Sequence, residues 1–483
     1  MSDMHSFDMQ IAGEPRDGEE SSVENPATGE TVGTVSIGTR TDAIDAVEAA
    51  ADAQKKWAES SPNRRERALL TVAERIEANQ DELSELLVAE TGKCLATAKG
   101  EVLETAQQFR FYAGIADKIR GDTVPTPTNR FNYTKRVPYG VTAHIIPWNY
   151  PLLLGSRGIA AALVTGNTVI AKPPSQAPLS TMWYGKFLVE EFPAGVVNIV
   201  PGSGSEIGAT LSDHPSVDAI TFTGSTRVGQ QVLEAAAANI TPVDLELGGK
   251  APAIVLPDTD IENAARGVAQ GIFSNAGQNC VATSRALVHE DVKKEFTDLV
   301  VEKAERITLG SGFDSATDMG PVISAQAQDD ILGYVETAQE EGATLRTGGD
   351  IPDNPNLQDG HFVEPTVFDD VTPTMQIACE EIFGPVLSIL SVESITEAVE
   401  IANNSPYALA ASIWTDGLHA TRIADLLDHG LVTINTFPVS MPQSPWGGNK
   451  ESGLGREGGY EGVEAFTTVD SVVIEHDEME DTF

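Results

Sequence analysis

Cys280 closes the loop sequence FSNAGQNC, and Glu246 lies 34 residues before it in LELGGK. A thiolate adds readily to electron-poor carbon, and a carboxylate can activate the water that later frees the product. The pairing predicts covalent catalysis on a carbonyl. The competing possibility is a structural thiol, since free cysteine is among the most buried residue types. Its neighbours Asn275, Gly277, Gln278 and Asn279 are loop-formers with little apolar area, a poor seat for a core residue. They favour the catalytic reading.

Two glycine turns could hold a nucleotide. AITFTGSTRVGQQVL sets Gly224 and Gly229 between a strand pattern and a helix pattern, where backbone amides and a helix N-terminus can hold pyrophosphate. The spacing is GxxxxG, a weak signal on its own. PGSGSEIG at 201–208 is a second turn of the same kind, and spacing does not rank the two. Lys172 ends the apolar run TVIAK before Pro173, where ligands of open α/β sheets bind. It can meet an anion there or snorkel to the surface.

The elements that must position these residues are legible in the hydrophobic pattern. Residues 41–118 carry apolar positions at three- and four-residue spacing and predict long amphipathic helices. TVPTPT at 123–128 ends them, and NRFNYTKRV alternates like an exposed strand. From VTAHII onward, strand-like runs (TVIAK, VVNIV, AITFTG, PVDLELG) alternate with helical ones, predicting an α/β fold with a doubly wound parallel sheet. A second series from APAIVL to VTIN predicts a second α/β domain. SVVIEH near the C-terminus reads as a lone strand without a local partner, expected to join a neighbouring subunit.

Size and charge bound the rest. A chain of 483 residues suggests about two to four domains. Three cysteines (Cys94, Cys280, Cys379) with no CxxC or Cys/His spacing indicate neither a disulfide framework nor a metal site, and fit a reducing cytoplasm. MSDMHSFDMQ lacks the basic and apolar regions of a signal peptide, and no apolar run is long enough to span a bilayer. The net charge of −41, from 72 acidic and 31 basic residues, gives a surface that repels itself at low salt. High ionic strength screens that repulsion, so the charge predicts a salt-loaded cytoplasm such as a haloarchaeon's. It also argues against binding nucleic acid or an anionic membrane.

Together, PWNYP, KPPSQAP, FTGSTRVG, LELGG, FSNAGQNC, EEIFGPV, INTF and PWGGNKESGLGRE, in this order, resemble the aldehyde dehydrogenase superfamily over nearly the whole chain. The resemblance implies a Rossmann-like coenzyme domain (1–124 and 138–247), an α/β catalytic domain (248–448) and a small β oligomerisation domain (125–137 and 449–483), assembled as a homodimer or homotetramer. It implies NAD(P)-dependent oxidation of a small-molecule aldehyde to an acid. Cys280 would attack the aldehyde, Asn149 and the Cys280 N–H would hold the oxyanion, and Glu246 would activate water. Trp148, Lys172, Gly224, Ser225, Gly229, Glu381 and Phe383 would bind the coenzyme. Asn435 and Glu457 match family positions near the site, each also readable as a structural hydrogen-bonding residue.

The chain departs from the family in two places. Ser175 stands where NAD-preferring members often carry Glu, which predicts that NADP is accepted and even preferred. Arg157 is followed by Gly158 where many members have Lys, which puts a Glu–Lys proton relay through Glu457 in doubt. Arg157 could pair with a substrate carboxylate, as in semialdehyde dehydrogenases, or be salt-bridged within the protein. Trp446 and Tyr150 could instead select an aromatic or quaternary-ammonium aldehyde. A CoA-acylating enzyme, an inactive binding protein and a cysteine hydrolase are the rival classes. Glu246, the intact Cys280–Glu246–Asn149 set, and the lack of a histidine close to Cys280 argue against them in turn.

Overall fold

The computed structural model describes residues 5–476; residues 477–483 of the expected oligomerisation segment, with most of EHDEMED, lie outside the described residues. Five short runs rich in Val, Ile and Ala form parallel strands: β1 (Val141–Ile145), β2 (Thr168–Lys172), β3 (Val197–Ile199), β4 (Ala219–Thr223) and β5 (Val243–Glu246). Their spatial order is 5-4-1-2-3, so the direction of winding reverses between β1 and β4. A crevice opens at that switch point, beyond the carboxyl ends of the strands. Short antiparallel strands extend both edges: Gly453–Leu454 beside β5, and Met9–Ile11 then Glu14–Arg16 beyond β3.

Both faces of this sheet are covered, as a parallel sheet requires. On one face Ala143, Ile145, Ile220, Phe222 and Leu245 pack with the helix Arg40–Ala58 and with Val232 and Ala236 of the helix Thr226–Ala237. On the other, Val169, Ala171, Val197 and Ile199 pack with the predicted N-terminal helices Pro62–Ala78, Gln80–Thr91 and Leu95–Ala113 and with Pro151–Thr165.

The second series forms its own sheet from β6 (Pro252–Val255), β7 (Arg285–His289), β8 (Thr366–Asp369), β9 (Val386–Val392), β10 (Ala410–Trp414) and β11 (Leu431–Ile434). These six run parallel in the order 8-9-7-6-10-11, with Thr344–Thr347 antiparallel at the β8 edge.

The reading of the C-terminal run as a lone strand needs correction, whereas its grouping with the 125–137 arm agrees with the pairing seen. Thr467–Glu475 is not partnerless: it pairs antiparallel with Arg130–Pro138 along its full length, from Thr467 opposite Pro138 to Glu475 opposite Arg130. Local sequence could not reveal this, because the two strands lie more than 300 positions apart. Thr123–Val124 completes the small sheet, in which Thr467–Glu475 is an edge strand. Among the described residues no helix is long and apolar enough to cross a membrane, and no cluster of three metal-ligating side chains occurs.

Candidate active site

The helix Ile261–Phe273, capped by Asp260 accepting from the Asn263 N–H, delivers the chain to the cysteine loop. Asn275, Ala276 and Gly277 then take three consecutive left-handed conformations, with φ of 52°, 54° and 71°. For the first two this is strained backbone, of a kind that concentrates at functional sites. Gly277 has a further reason to lack a side chain: a Cβ there would sit 2.0 Å from the Gly384 carbonyl oxygen. The cysteine loop and the EEIFGPV loop therefore lock together. Gln278, almost wholly buried, ties the loop down by accepting from the Ile323 N–H (2.8 Å) and donating to the Asn275 carbonyl (3.0 Å).

Asn149 leaves the end of β1, and its side-chain amide donates to the Gln278 carbonyl at 3.2 Å, two residues from Cys280. Its backbone is fixed from beneath. The fully buried Lys93 ammonium donates to the Asn149 carbonyl at 2.7 Å and pairs with Glu101. The other Glu101 oxygen accepts from the N–H groups of Leu152 (3.0 Å) and Leu153 (3.4 Å), orphan donors of the first turn of Pro151–Thr165. Lys93 also lies over the Tyr150 ring, 4.2 Å from its centroid. Sequence spacing gave no sign of Lys93 or Glu101. A buried lysine beside a helical glutamate eight residues on looks like any solvated pair.

Cys280 lines two clefts and is where they meet. The first, of about 460 Å³, is the switch-point crevice, with Trp148, Asn149, Lys172 and Ser175 from the β1 and β2 ends and Gly224 and Ser225 from the β4 turn. Glu246, Glu381 and Phe383 complete it, and Trp148 meets Phe383 edge-on at 5.5 Å. Gly229 lies in the first turn of Thr226–Ala237, where a Cβ would come 2.5 Å from Leu247. Its part is close helix packing beneath the cleft wall. Gly204, from the turn that spacing could not rank, also lines the cleft.

The second cleft runs to Cys280 between Tyr150, Arg157, Trp446 and Ser440, with Glu104 in its wall. The Arg157 guanidinium stacks 4.5 Å over Trp446 and donates through Nη2 to Ser440 Oγ at 2.7 Å, while Nη1 is buried with no hydrogen-bond partner. Asn435 lines neither cleft: it is held in a double hydrogen bond with the Thr415 backbone (3.0 and 2.9 Å), its structural reading.

Charges at the junction are out of balance. Burial pushes the Cys280 thiol up to about 12, with Glu381 and Glu246 adding to the effect and Arg157 opposing it. Burial likewise raises Glu381 to about 7, against the Gly249 N–H that donates to it at 3.0 Å. Glu246 stands well above the usual carboxylate range, first through burial and then through Glu457 and Asp244. Neither Glu246 oxygen has a hydrogen-bond partner.

The first cleft fits a dinucleotide on its own features. The Thr226–Ala237 N-terminus has no side-chain cap on its N–H groups, which suits an anion. Lys172 is buried at the β2 end with a single hydrogen bond, to the Pro173 carbonyl at 2.8 Å, and burial lowers it to about 8. An anion nearby would satisfy it.

A doubly wound domain and a second α/β domain thus meet at a loop cysteine, with a nucleotide-shaped crevice on one side and a charged tunnel on the other. Residues 14–472 match the aldehyde dehydrogenase family. A putative aldehyde dehydrogenase and a betaine aldehyde dehydrogenase of Bacillus subtilis are each 42% identical, covering 93% of this chain and 91% and 93% of their own. A betaine aldehyde dehydrogenase of Staphylococcus aureus, solved with NAD+, superposes with a TM-score of 0.97 at 36% identity over 99% of each chain. The chain belongs to the aldehyde dehydrogenase family and is an enzyme of that class.

Proposed function

We propose that this enzyme oxidises a small aldehyde bearing a carboxylate to the corresponding acid, with NAD or NADP as coenzyme. The observation that carries the reading is Cys280 at the junction of the two clefts, with the partnerless Nη1 of Arg157 in the tunnel. Cys280 adds to the aldehyde carbon as thiolate, while the Asn149 amide and the Cys280 N–H hold the oxyanion, each such donor being worth about 100-fold in rate. The chemistry that a bound nicotinamide supplies is acceptance of hydride from this adduct. Glu246 then takes a proton from the water that hydrolyses the thioester on Cys280. Lys172, the Ser225 helix end, Glu381 and Phe383 hold the coenzyme. No carboxylate stands at Ser175, whose hydroxyl donates to the Gly202 carbonyl (3.1 Å), so nothing there repels a 2′-phosphate.

A second reading, a betaine or aromatic aldehyde, draws on Trp446, on the Glu104 carboxylate in the tunnel and on the betaine aldehyde dehydrogenases among the relatives. Initial rates with succinate semialdehyde, benzaldehyde and betaine aldehyde, each with NAD and NADP, decide between them. Preference for the semialdehyde supports the first; a preference for betaine aldehyde or benzaldehyde overturns it.

The assembly belongs to the same proposal. The coenzyme domain would comprise 1–124 and 138–247, the catalytic domain 248–448, and the oligomerisation domain 125–137 with 449–483, in a cytoplasmic homodimer or homotetramer. The charge of −41 supports a halophilic enzyme. Activity and unfolding midpoint should rise together from 0.1 M to multimolar KCl by the screening argument; a midpoint that falls with salt refutes this part.

A further inference from the structure

The turn that carries Lys93 is tied to both partners of the Asn149–Gln278 contact. It joins the helices Gln80–Thr91 and Leu95–Ala113, and Gly92 opens it in a left-handed conformation, with φ of 74°. From it the Lys93 ammonium donates to the Asn149 carbonyl at 2.7 Å. The same turn is wedged against the segment 310–323. The Leu95 N–H donates to the Gly312 carbonyl at 2.9 Å, a Cβ on Gly312 would sit 2.1 Å from the Lys93 carbonyl oxygen, and one on Gly92 would sit 2.5 Å from Pro321 Cγ. The Pro321 carbonyl accepts from the Gln278 side chain at 3.4 Å, and the Ile323 N–H donates to that side chain at 2.8 Å. The Gln278 carbonyl in turn accepts from the Asn149 amide at 3.2 Å. The circuit closes, so Asn149 and the cysteine loop hang from one support.

A buried ion pair is a poor way to gain stability alone. Both side chains of the Lys93–Glu101 pair are fully buried, and an apolar pair of similar volume often serves as well or better. What only the charged pair supplies is a directional hold, and its remaining hydrogen bonds all fall on one stretch of backbone. Lys93 holds the Asn149 carbonyl and lies over the Tyr150 ring, while Glu101 accepts from the N–H groups of Leu152 and Leu153. That hold matters most at Asn149. A side-chain amide has two N–H bonds, and spending one on the Gln278 carbonyl leaves the other to aim at an oxyanion. A misplacement of about 1 Å at such a donor costs on the order of 100-fold in rate. Lys93 itself lines neither cleft, so any effect it has on turnover passes through the residues it holds.

We propose that Lys93 is a positioning residue for the oxyanion site: paired with Glu101, it fixes the Asn149 backbone so that the free amide N–H faces the oxygen of an adduct on Cys280. The proposal rests on the reading of Asn149 as an oxyanion donor. Lys93 neither donates to the adduct nor moves a proton; it sets where Asn149 stands.

The test is a double-mutant cycle on kcat in the full-length enzyme, with folded sites counted by coenzyme fluorescence titration. K93M/E101Q removes the ammonium without leaving a buried charge, keeps an acceptor for the Leu152 and Leu153 N–H groups, and keeps an apolar stem under Tyr150. Its unfolding midpoint should lie near that of the wild type. Its kcat should nevertheless fall about tenfold, with KM changed less than about twofold. In an N149A background the same change should cost less than about twofold, because the donor it positions is already gone. K93M alone, assayed well below its midpoint, should show the same loss beside Asn149 and the same near-absence of loss in N149A. A wild-type kcat in K93M/E101Q makes the pair purely structural and overturns the proposal. An equal tenfold loss with and without Asn149 overturns it too, since the change then disturbs the site at large. N149A separates the two ideas: a wild-type kcat in N149A removes the oxyanion reading, whereas an impaired N149A with an additive cycle removes the role of Lys93 alone.

Discussion

The two clefts that meet at Cys280 are built by opposite means. The first is made of strand ends and turns, so its position follows from sheet topology, and Gly224, Ser225 and Lys172 fall into place once the strand order is set. The tunnel is made of side chains from helix and loop segments far apart in sequence, Glu104, Arg157, Ser440 and Trp446. Backbone geometry tolerates little variation, whereas a tunnel wall can exchange charge or bulk without moving the sheet. In the proposed function, the reaction class is therefore set on one side of the cysteine and the choice of aldehyde on the other.

Substitutions can break this contrast or sharpen it. Cys280→Ala should cost at least about 1,000-fold in turnover while leaving coenzyme affinity in the first cleft unchanged by fluorescence titration; residual turnover near the wild-type rate would end the covalent scheme. Asn149→Ala should lower kcat by about 100-fold, with KM little changed. Lys93→Met leaves Glu101 charged and buried alone, a change worth about 3–5 kcal/mol of stability, read as a lower denaturation midpoint. Arg157→Met should reduce kcat/KM for a semialdehyde by about 10- to 100-fold while sparing benzaldehyde; an equal loss on both would make Arg157 structural. The smallest effect concerns pH. Glu246 must be ionised to act as base, and its neighbours raise its pKa, which moves the acid limb of hydrolysis up in pH. Glu457→Gln removes a like charge, so the limb should shift to lower pH in a rate–pH profile.

Much of the fold was legible because its signals are local. Alternating strand and helix patterns from 141 onward announced both sheets, and three- and four-residue spacing announced the N-terminal helices. The pairing of Thr467–Glu475 with Arg130–Pro138 left no local mark, and only the family resemblance grouped the two segments. At the site, Cys280 and Glu246 stood out by type and setting and Asn149 through the family resemblance alone, and the structure gathers the three around one cleft. Lys93, Glu101 and Glu104 did not, because a charged residue on a helix usually faces water and only the packed neighbours show otherwise. Asp244 was hidden by its place inside LELGG's own strand, where alternation alone does not say which face is buried.

The small strand Gly453–Leu454 closes the sheet edge at β5, opposite Leu245 and Glu246, and Glu457 follows three residues later. The cysteine loop, the parallel strands of both sheets and every residue lining the first cleft precede this segment in the chain. The sheet edge beside the base is thus finished by a segment some 200 positions downstream of it, so that a change in the 453–457 loop reaches Glu246 without touching the strand that carries it.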